Sequence, residues 1–339
     1  MKAVVLVGGF GTRLRPLTET VKKELLPLVD RPILDHVLDH LARHGVHEVV
    51  LSSPYLEAAF HPFIEARRGD PAITWITESA PLGTGGAIVN ALDAVGDEPF
   101  LALNGDILTD LDLTAMLRVH RDRGAVVTIA LHHVDDARAF GLVVVDREGR
   151  IREFREKPTD LVPGDVNAGT YVLDPSALRA WSNEHELSIE REVFPAIIAS
   201  GGGVWGFPAD AYWIDLGTPE KYLQAHYDLL DGKVRDVRYE APWVAPTAVV
   251  DPTARVGRWV AVGAEARLGA DSDVEDSVIH PGAAVGSGAV VSRTIVGPGA
   301  HVGADVTLEG CVLGAGARIA DGLALSGERV GTDVEAPPA

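Results

Sequence analysis

From Val244 onward, small apolar residues return every six positions: Val244, Val250, Val256, Val262, Leu268 and Val274, with Gly, Ala, Pro and Asp between them. The rhythm then becomes six, six and five through Ile279, Val285 and Val291, then Val296, Val302 and Leu308, then Leu313, Ile319 and Leu325. That period fits neither the 3.6-residue turn of a helix nor the alternation of a half-buried strand. It describes a solenoid with three short faces per coil and about 17 residues per coil, each coil burying its apolar row against the next. Roughly five coils are expected between residues 244 and 329.

Residues 1–232 have another texture. Apolar runs expected as strands at residues 3–7, 48–52, 73–76 and 100–103 alternate with helical patterns, which predicts an α/β layer fold with a mostly parallel sheet. The clearest helix follows Pro32: Ile33, Leu34, Val37, Leu38 and Leu41 make one stripe, and Gly45 ends it. His36, His40 and His44 lie four apart at the edge of this stripe, where a solvated helix flank is the expectation. Residues 233–243 form a polar linker, and residues 330–339, with paired prolines, are expected to be a disordered tail.

A chain of 339 residues, 46% hydrophobic and 23% charged, is ordinary globular material of two-domain size. No apolar run reaches membrane-spanning length and the first residues open directly on a strand, so the expectation is a cytoplasmic protein without a membrane partner. Its single cysteine, Cys311, lies inside the repeat and is read as structural. A net charge of −19 argues against a nucleic-acid partner and repels nucleotides at long range.

Against that background one segment is cationic. Leu6-Val7-Gly8-Gly9-Phe10-Gly11-Thr12-Arg13-Leu14-Arg15-Pro16-Leu17-Thr18 runs on to Lys22 and Lys23 with one acid, Glu19. Glycines let backbone N–H groups approach anionic oxygens, and the cations neutralise them: a polyphosphate grip. It lacks the third glycine of a dinucleotide fingerprint and the Gly-Lys-Ser/Thr of a Walker A loop. Further on, Phe100-Leu101-Ala102-Leu103-Asn104-Gly105-Asp106 reads as a fully buried strand that delivers Asp106 at its carboxyl end. A carboxylate there suits Mg²⁺, which takes one or two protein carboxylates and completes its shell with water and phosphate oxygens.

Gly-Gly-x-Gly-Thr-Arg-Leu-Arg-Pro-Leu-Thr with a lysine ten residues after the arginine resembles the signature of sugar-1-phosphate nucleotidylyltransferases. The resemblance implies a Rossmann-like α/β catalytic domain over residues 1–232, with helices on both faces of its sheet. The repeat resembles the hexapeptide-repeat left-handed parallel β-helix, which implies a homo-oligomer assembled through that domain. The resemblance places the nucleotide on Leu6, Gly8, Gly9, Gly11, Thr12, Arg13 and Lys23, on the glycine turn Glu78, Pro81, Gly83 and Thr84, and on Asp106. It places the sugar phosphate on Asn104, Gly141, Glu156, Lys157, Asn167 and Trp213, and Mg²⁺ on Asp106 together with Asp215. Arg13, Lys23, Asp106, Lys157 and Asp215 carry catalysis in this reading.

The implied reaction joins an NTP to a sugar 1-phosphate with release of pyrophosphate. Pro81-Leu82-Gly83-Thr84-Gly85-Gly86, Asn167-Ala168-Gly169-Thr170-Tyr171 and the appended repeat resemble mannose-1-phosphate guanylyltransferases, favouring GTP. Lys23-Glu24-Leu25-Leu26-Pro27 instead resembles glucose-1-phosphate uridylyl- and thymidylyltransferases; Lys22 and Glu24 stand where the family usually has prolines. A non-catalytic subunit that senses nucleotide sugars is a third alternative, and acyl transfer by the repeat domain, where His280 and His301 are the only histidines, a fourth.

Overall fold

The computed structural model describes residues 1–53, 57–67, 69–78, 80–182 and 185–336, with Glu57 and Glu156 described by their backbone alone. It divides into two compact units, Met1–Gly9 with His36–Trp213, and Phe10–Asp35 with Ile214–Ala339.

The first unit is built on nine strands: β1 (Lys2–Leu6), β2 (Glu48–Ser53), β3 (Ala72–Thr77), β4 (Phe100–Asn104), β5 (Val127–Val134), β6 (Gly141–Val145), β7 (Ile151–Glu156), β8 (Gly164–Leu173) and β9 (Val204–Pro208). Their order is β7-β6-β8-β4-β1-β2-β3, with β5 and β9 branching from β8. Pairing is parallel among β4, β1, β2 and β3 and between β5 and β9; β8 runs antiparallel to β4, β5 and β6. The expected parallel sheet is thus its N-terminal half, where Ala3, Val4, Val5, Val49, Leu51, Leu101 and Ala102 are all buried. Strands covered on both faces need such unbroken apolar runs. Helix α1 (Ile33–Arg43) carries the anticipated stripe, and Gly45 stops the chain at φ +75°, which glycine adopts without strain. His36 and His40 are buried rather than on a solvated flank, which corrects the expectation for them. Their imidazole bodies widen the apolar stripe, and burial pushes His40 down to about 3. Helices α2 (Gly83–Asn90) and α3 (Leu113–Asp122) also belong to this unit.

In the second unit, parallel sheets of six, six and five very short strands form a three-sided β-helix after helix α4 (Pro219–Leu230). Every residue of the six-residue series occupies a strand, and rungs stack in register, Val262 on Ile279, Ile279 on Val296 and Val296 on Leu313. Those side chains form one continuous buried row together with Cys311, whose thiol burial pushes up. Pairing does not stop at Arg329: Arg329–Val330 pairs with Val312–Leu313, and Glu335–Ala336 with Arg318–Ile319. The tail expected from residue 330 is therefore ordered coil through Ala336, held by ladder hydrogen bonds that its sequence composition does not reveal. Tyr222 of α4 donates to the Pro27 carbonyl and lies 3.1 Å from His280 Nε2, so this one side chain joins α4 to the segment after Lys23 and to the coils. No helix among the described residues is long and apolar enough to cross a membrane.

Candidate active site

β1 and β4 lie side by side in parallel register, Leu6 opposite Asn104, while β2 and β3 continue the sheet on the other side of β1. This reversal of strand order is a topological switch point, where the carboxyl ends of parallel strands open a crevice. Two of the sequence motifs leave from it together: Gly8-Gly9 after β1, and Gly105-Asp106 after β4. The Gly105 amide donates to the Leu6 carbonyl at 3.0 Å. A Cβ on Gly105 would stand 2.9 Å from that same oxygen, so only glycine turns here, and Asp106 follows it past the carboxyl end of β4.

In the second unit the loop is folded by Gly11, at φ +61°. Thr18 donates its hydroxyl to the Gly11 carbonyl at 2.7 Å, and an added Cβ would press on Thr18 at 3.0 Å and meet Lys23 Cβ at 3.4 Å. Gly11 therefore brings Lys23 back across the loop. Leu14 anchors the single turn Thr12–Leu14 in the core, leaving Thr12 and Arg13 exposed. Lys22 takes φ −65°, the angle proline would impose, so a lysine replaces the usual proline without moving the backbone.

Arg13 and Asp215 both lie against Gly217. A Cβ on Gly217 would lie 2.7 Å from an Arg13 guanidinium nitrogen and 3.0 Å from an Asp215 carboxylate oxygen. Lys221, one turn into α4, holds the other Asp215 oxygen at 3.1 Å. Gly217 and Lys221, which touch these candidate residues, were passed over by the sequence reading. Thr218-Pro219 signals a helix start, which would have placed Lys221 on the turn facing back to Asp215.

The glycine turn expected to hold the nucleobase, in the first unit, is braced more than expected. Glu78 is buried, accepting from Ser52 Oγ at 2.9 Å and from the Leu82 amide at 3.1 Å; burial raises its carboxyl above the usual range against those two hydrogen bonds. Gly83, at φ +70°, faces the Leu187 carbonyl at 2.6 Å from a would-be Cβ, and the Gly85 and Gly86 amides donate to that oxygen. These glycines admit a neighbouring backbone rather than leave amides for a base edge. Thr84 gives its hydroxyl to Glu190 at 2.6 Å and accepts from the Ile189 amide at 3.1 Å. Pro81 stays exposed.

Around β6–β8 the sugar-side residues converge. Glu156 ends β7 opposite Gly141, and the Lys157 amide donates to the Phe140 carbonyl at 3.0 Å; the Glu156 side chain lies outside the described residues. Trp213 donates from its indole to the Ala168 carbonyl at 2.9 Å, stacks on His132 and meets Phe140 edge-on. Asn167 is occupied by its own strand, accepting from the Gly169 amide at 2.9 Å and donating to the Tyr171 hydroxyl at 2.8 Å. Tyr171 passes on to Glu190, the residue that also holds Thr84. Gly169, at φ +68°, lets Asn104 pack directly on its Cα, 2.7 Å from where a Cβ would sit.

Residues 2–232 match the nucleotidyl transferase family, and residues 239–334 match the GMPPB C-terminal domain. The chain belongs to the nucleotidyl transferase family. This nucleotidyl transferase is 39% identical to a mannose-1-phosphate guanylyltransferase of Mycobacterium tuberculosis, over 84% of this chain and 80% of that one. It is 35% identical to mannose-1-phosphate guanylyltransferase 1 of Arabidopsis thaliana, over 82% and 79% of the two chains. Among solved structures, HddC from Yersinia pseudotuberculosis complexed with GMP-PN superposes with a TM-score of 0.58 at 29% identity, covering 66% of this chain and 97% of that one.

Proposed function

We propose that this nucleotidyl transferase moves GMP from GTP to mannose 1-phosphate, forming GDP-mannose and pyrophosphate. The observation that carries the reading is the pair of motifs at the switch point, Gly8-Gly9 beside Gly105-Asp106. The names of the guanylyltransferase relatives support the choice of substrates.

Both substrates are anions, so the work is to bring them together, shield their repulsion and stabilise charge on the transferring phosphoryl group. Arg13 and Lys23 hold the triphosphate, and Lys157 holds the sugar phosphate, one of whose oxygens attacks the α-phosphorus as pyrophosphate departs. The attacking oxygen is already ionised, so no side-chain base or nucleophile is required. Asp106 and Asp215 each offer the hard carboxylate oxygens that Mg²⁺ takes, and Asp215 already attracts the cationic Lys221. When bound, the ion neutralises phosphate charge and screens the approach of one anion to the other. Gly141 and Asn167 orient the sugar, with Trp213 as a wall, and a cytoplasmic homo-oligomer contacting through the β-helix completes the proposal.

A matrix of NTPs against sugar 1-phosphates, scored by pyrophosphate release, tests this. GTP with mannose 1-phosphate should lead; preference for dTTP or UTP with glucose 1-phosphate would overturn the substrate choice. Asp106→Ala should lower kcat at least about a hundredfold with the fold unchanged by circular dichroism; near-normal turnover with Mg²⁺ would sink the assignment of Asp106.

A further inference from the structure

The last coil of the β-helix grips the backbone of the cationic loop. Arg329 Nη1 donates to the carbonyls of Arg13 and Arg15, each at 3.3 Å, the two oxygens that flank Leu14 at the end of the Thr12–Leu14 turn. Its Nη2 lies 3.7 Å from Glu220 in the first turn of α4, three residues after Gly217, which packs on the Arg13 guanidinium. Three residues further on, the Thr332 amide donates to Glu19 at 3.1 Å, and hydrogen bonding to Thr332 holds the Glu19 carboxyl below its usual range. One coil therefore ties the loop down at residues 13–15 and again at residue 19.

We propose that Arg329 is a positioning residue for the nucleotide: it fixes the backbone of Arg13 from behind so that the guanidinium, lying against the bare Gly217, is preset for the triphosphate. Stability does not explain the contact. The Arg329 side chain is 48% exposed and Glu220 74%, and an ion pair so hydrated at 3.7 Å adds little to folding. One guanidinium nitrogen shared by two carbonyls at a turn's carboxyl end, with the other nitrogen turned to Glu220, does limit how far that turn can move. An unfixed loop must be ordered by the nucleotide itself, at a cost in affinity. This inference rests on the reading of the loop as the triphosphate grip.

The test compares wild type, Arg329→Ala and Arg329→Lys in the full-length protein. Arg329→Ala should raise KM for GTP about tenfold while leaving KM for mannose 1-phosphate and the melting temperature close to wild type. Arg329→Lys, which keeps the charge but has one nitrogen for the two carbonyls and Glu220 together, should recover only part of the loss. Equal loss for both substrates, or unchanged kinetics in Arg329→Ala, would overturn the proposal. Isothermal titration with GTP and Mg²⁺ separates the two readings. Wild type that binds GTP but releases no pyrophosphate would refute the transferase reading, with Arg329→Ala still expected to bind about tenfold more weakly. Wild type that binds no GTP would refute both.

Discussion

Arg13 and Asp215 are 202 positions apart in sequence, yet the space between them is set by one missing methyl group. Gly217 keeps a guanidinium nitrogen and a carboxylate oxygen within 3.0 Å of where its Cβ would stand. Gly217→Ala should push both groups aside and lower kcat/KM by about a hundredfold or more, since sub-ångström placement governs a charge-stabilising site. Retention of wild-type kcat/KM in steady-state assays would show that the pair tolerates displacement. Bracing is the other lesson at this scale. Glu78, Thr84 and Asn167 have the right chemistry for ligand contacts, but the structure binds their polar atoms into the scaffold first. Glu190, at the start of a wide helical turn, links two of the three through Thr84 and Tyr171. Its sequence neighbourhood gives no motif by which to find it.

At the scale of elements, α1 shows how far a pattern reaches. The stripe from Ile33 to Leu41 was legible because helical spacing alone sets which residues share a face. How wide the covered face becomes depends on what packs against it, and this decided the fate of His36 and His40. His40 is held down to about 3 by burial, with His44 and Arg43 adding to it, from an ordinary 6.5. Between those values the unfolded chain binds the proton that the folded chain refuses. Stability present above about 6.5 is therefore lost progressively as pH falls toward 3. From this site alone, unfolding free energy in urea should drop by roughly 1.4 kcal/mol between pH 7.5 and pH 5.5. His40→Gln should flatten that dependence; an unchanged slope would show that His40 is not buried in the neutral form.

For the molecule as a whole, the compact units do not follow the change in sequence texture at residue 232. The cationic loop, within Phe10–Asp35, is grouped with α4 and the β-helix, not with the strand that precedes it. Stability of the loop should then follow that of the coils. Leu313 is fully buried between Val296 and Val330, and Leu313→Ala should cost about 2–5 kcal/mol through the cavity it leaves. Because each coil is supported by its neighbours, heat inactivation of GTP turnover and loss of β-sheet circular dichroism should shift downward together. Activity that outlasts the unfolding of the coils would contradict this coupling.

The sequence by itself determined the three-sided coil and the strands that lead to Gly8 and Asp106. Both follow from local periodicity and from glycine's freedom near a strand end, which need no knowledge of distant residues. Motif likeness carried the roles assigned to Arg13, Lys23 and Asp215. Only the tertiary structure decided that Gly217 must be bare, that Lys221 shares Asp215, that Glu190 ties Thr84 to Tyr171, and that the final coil returns to hold Arg13 and Glu19. These depend on which surfaces meet after the chain has closed loops of hundreds of residues. Neither spacing nor composition encodes that geometry, because hydrogen bonds and close approaches are fixed by position in space and not by separation along the chain.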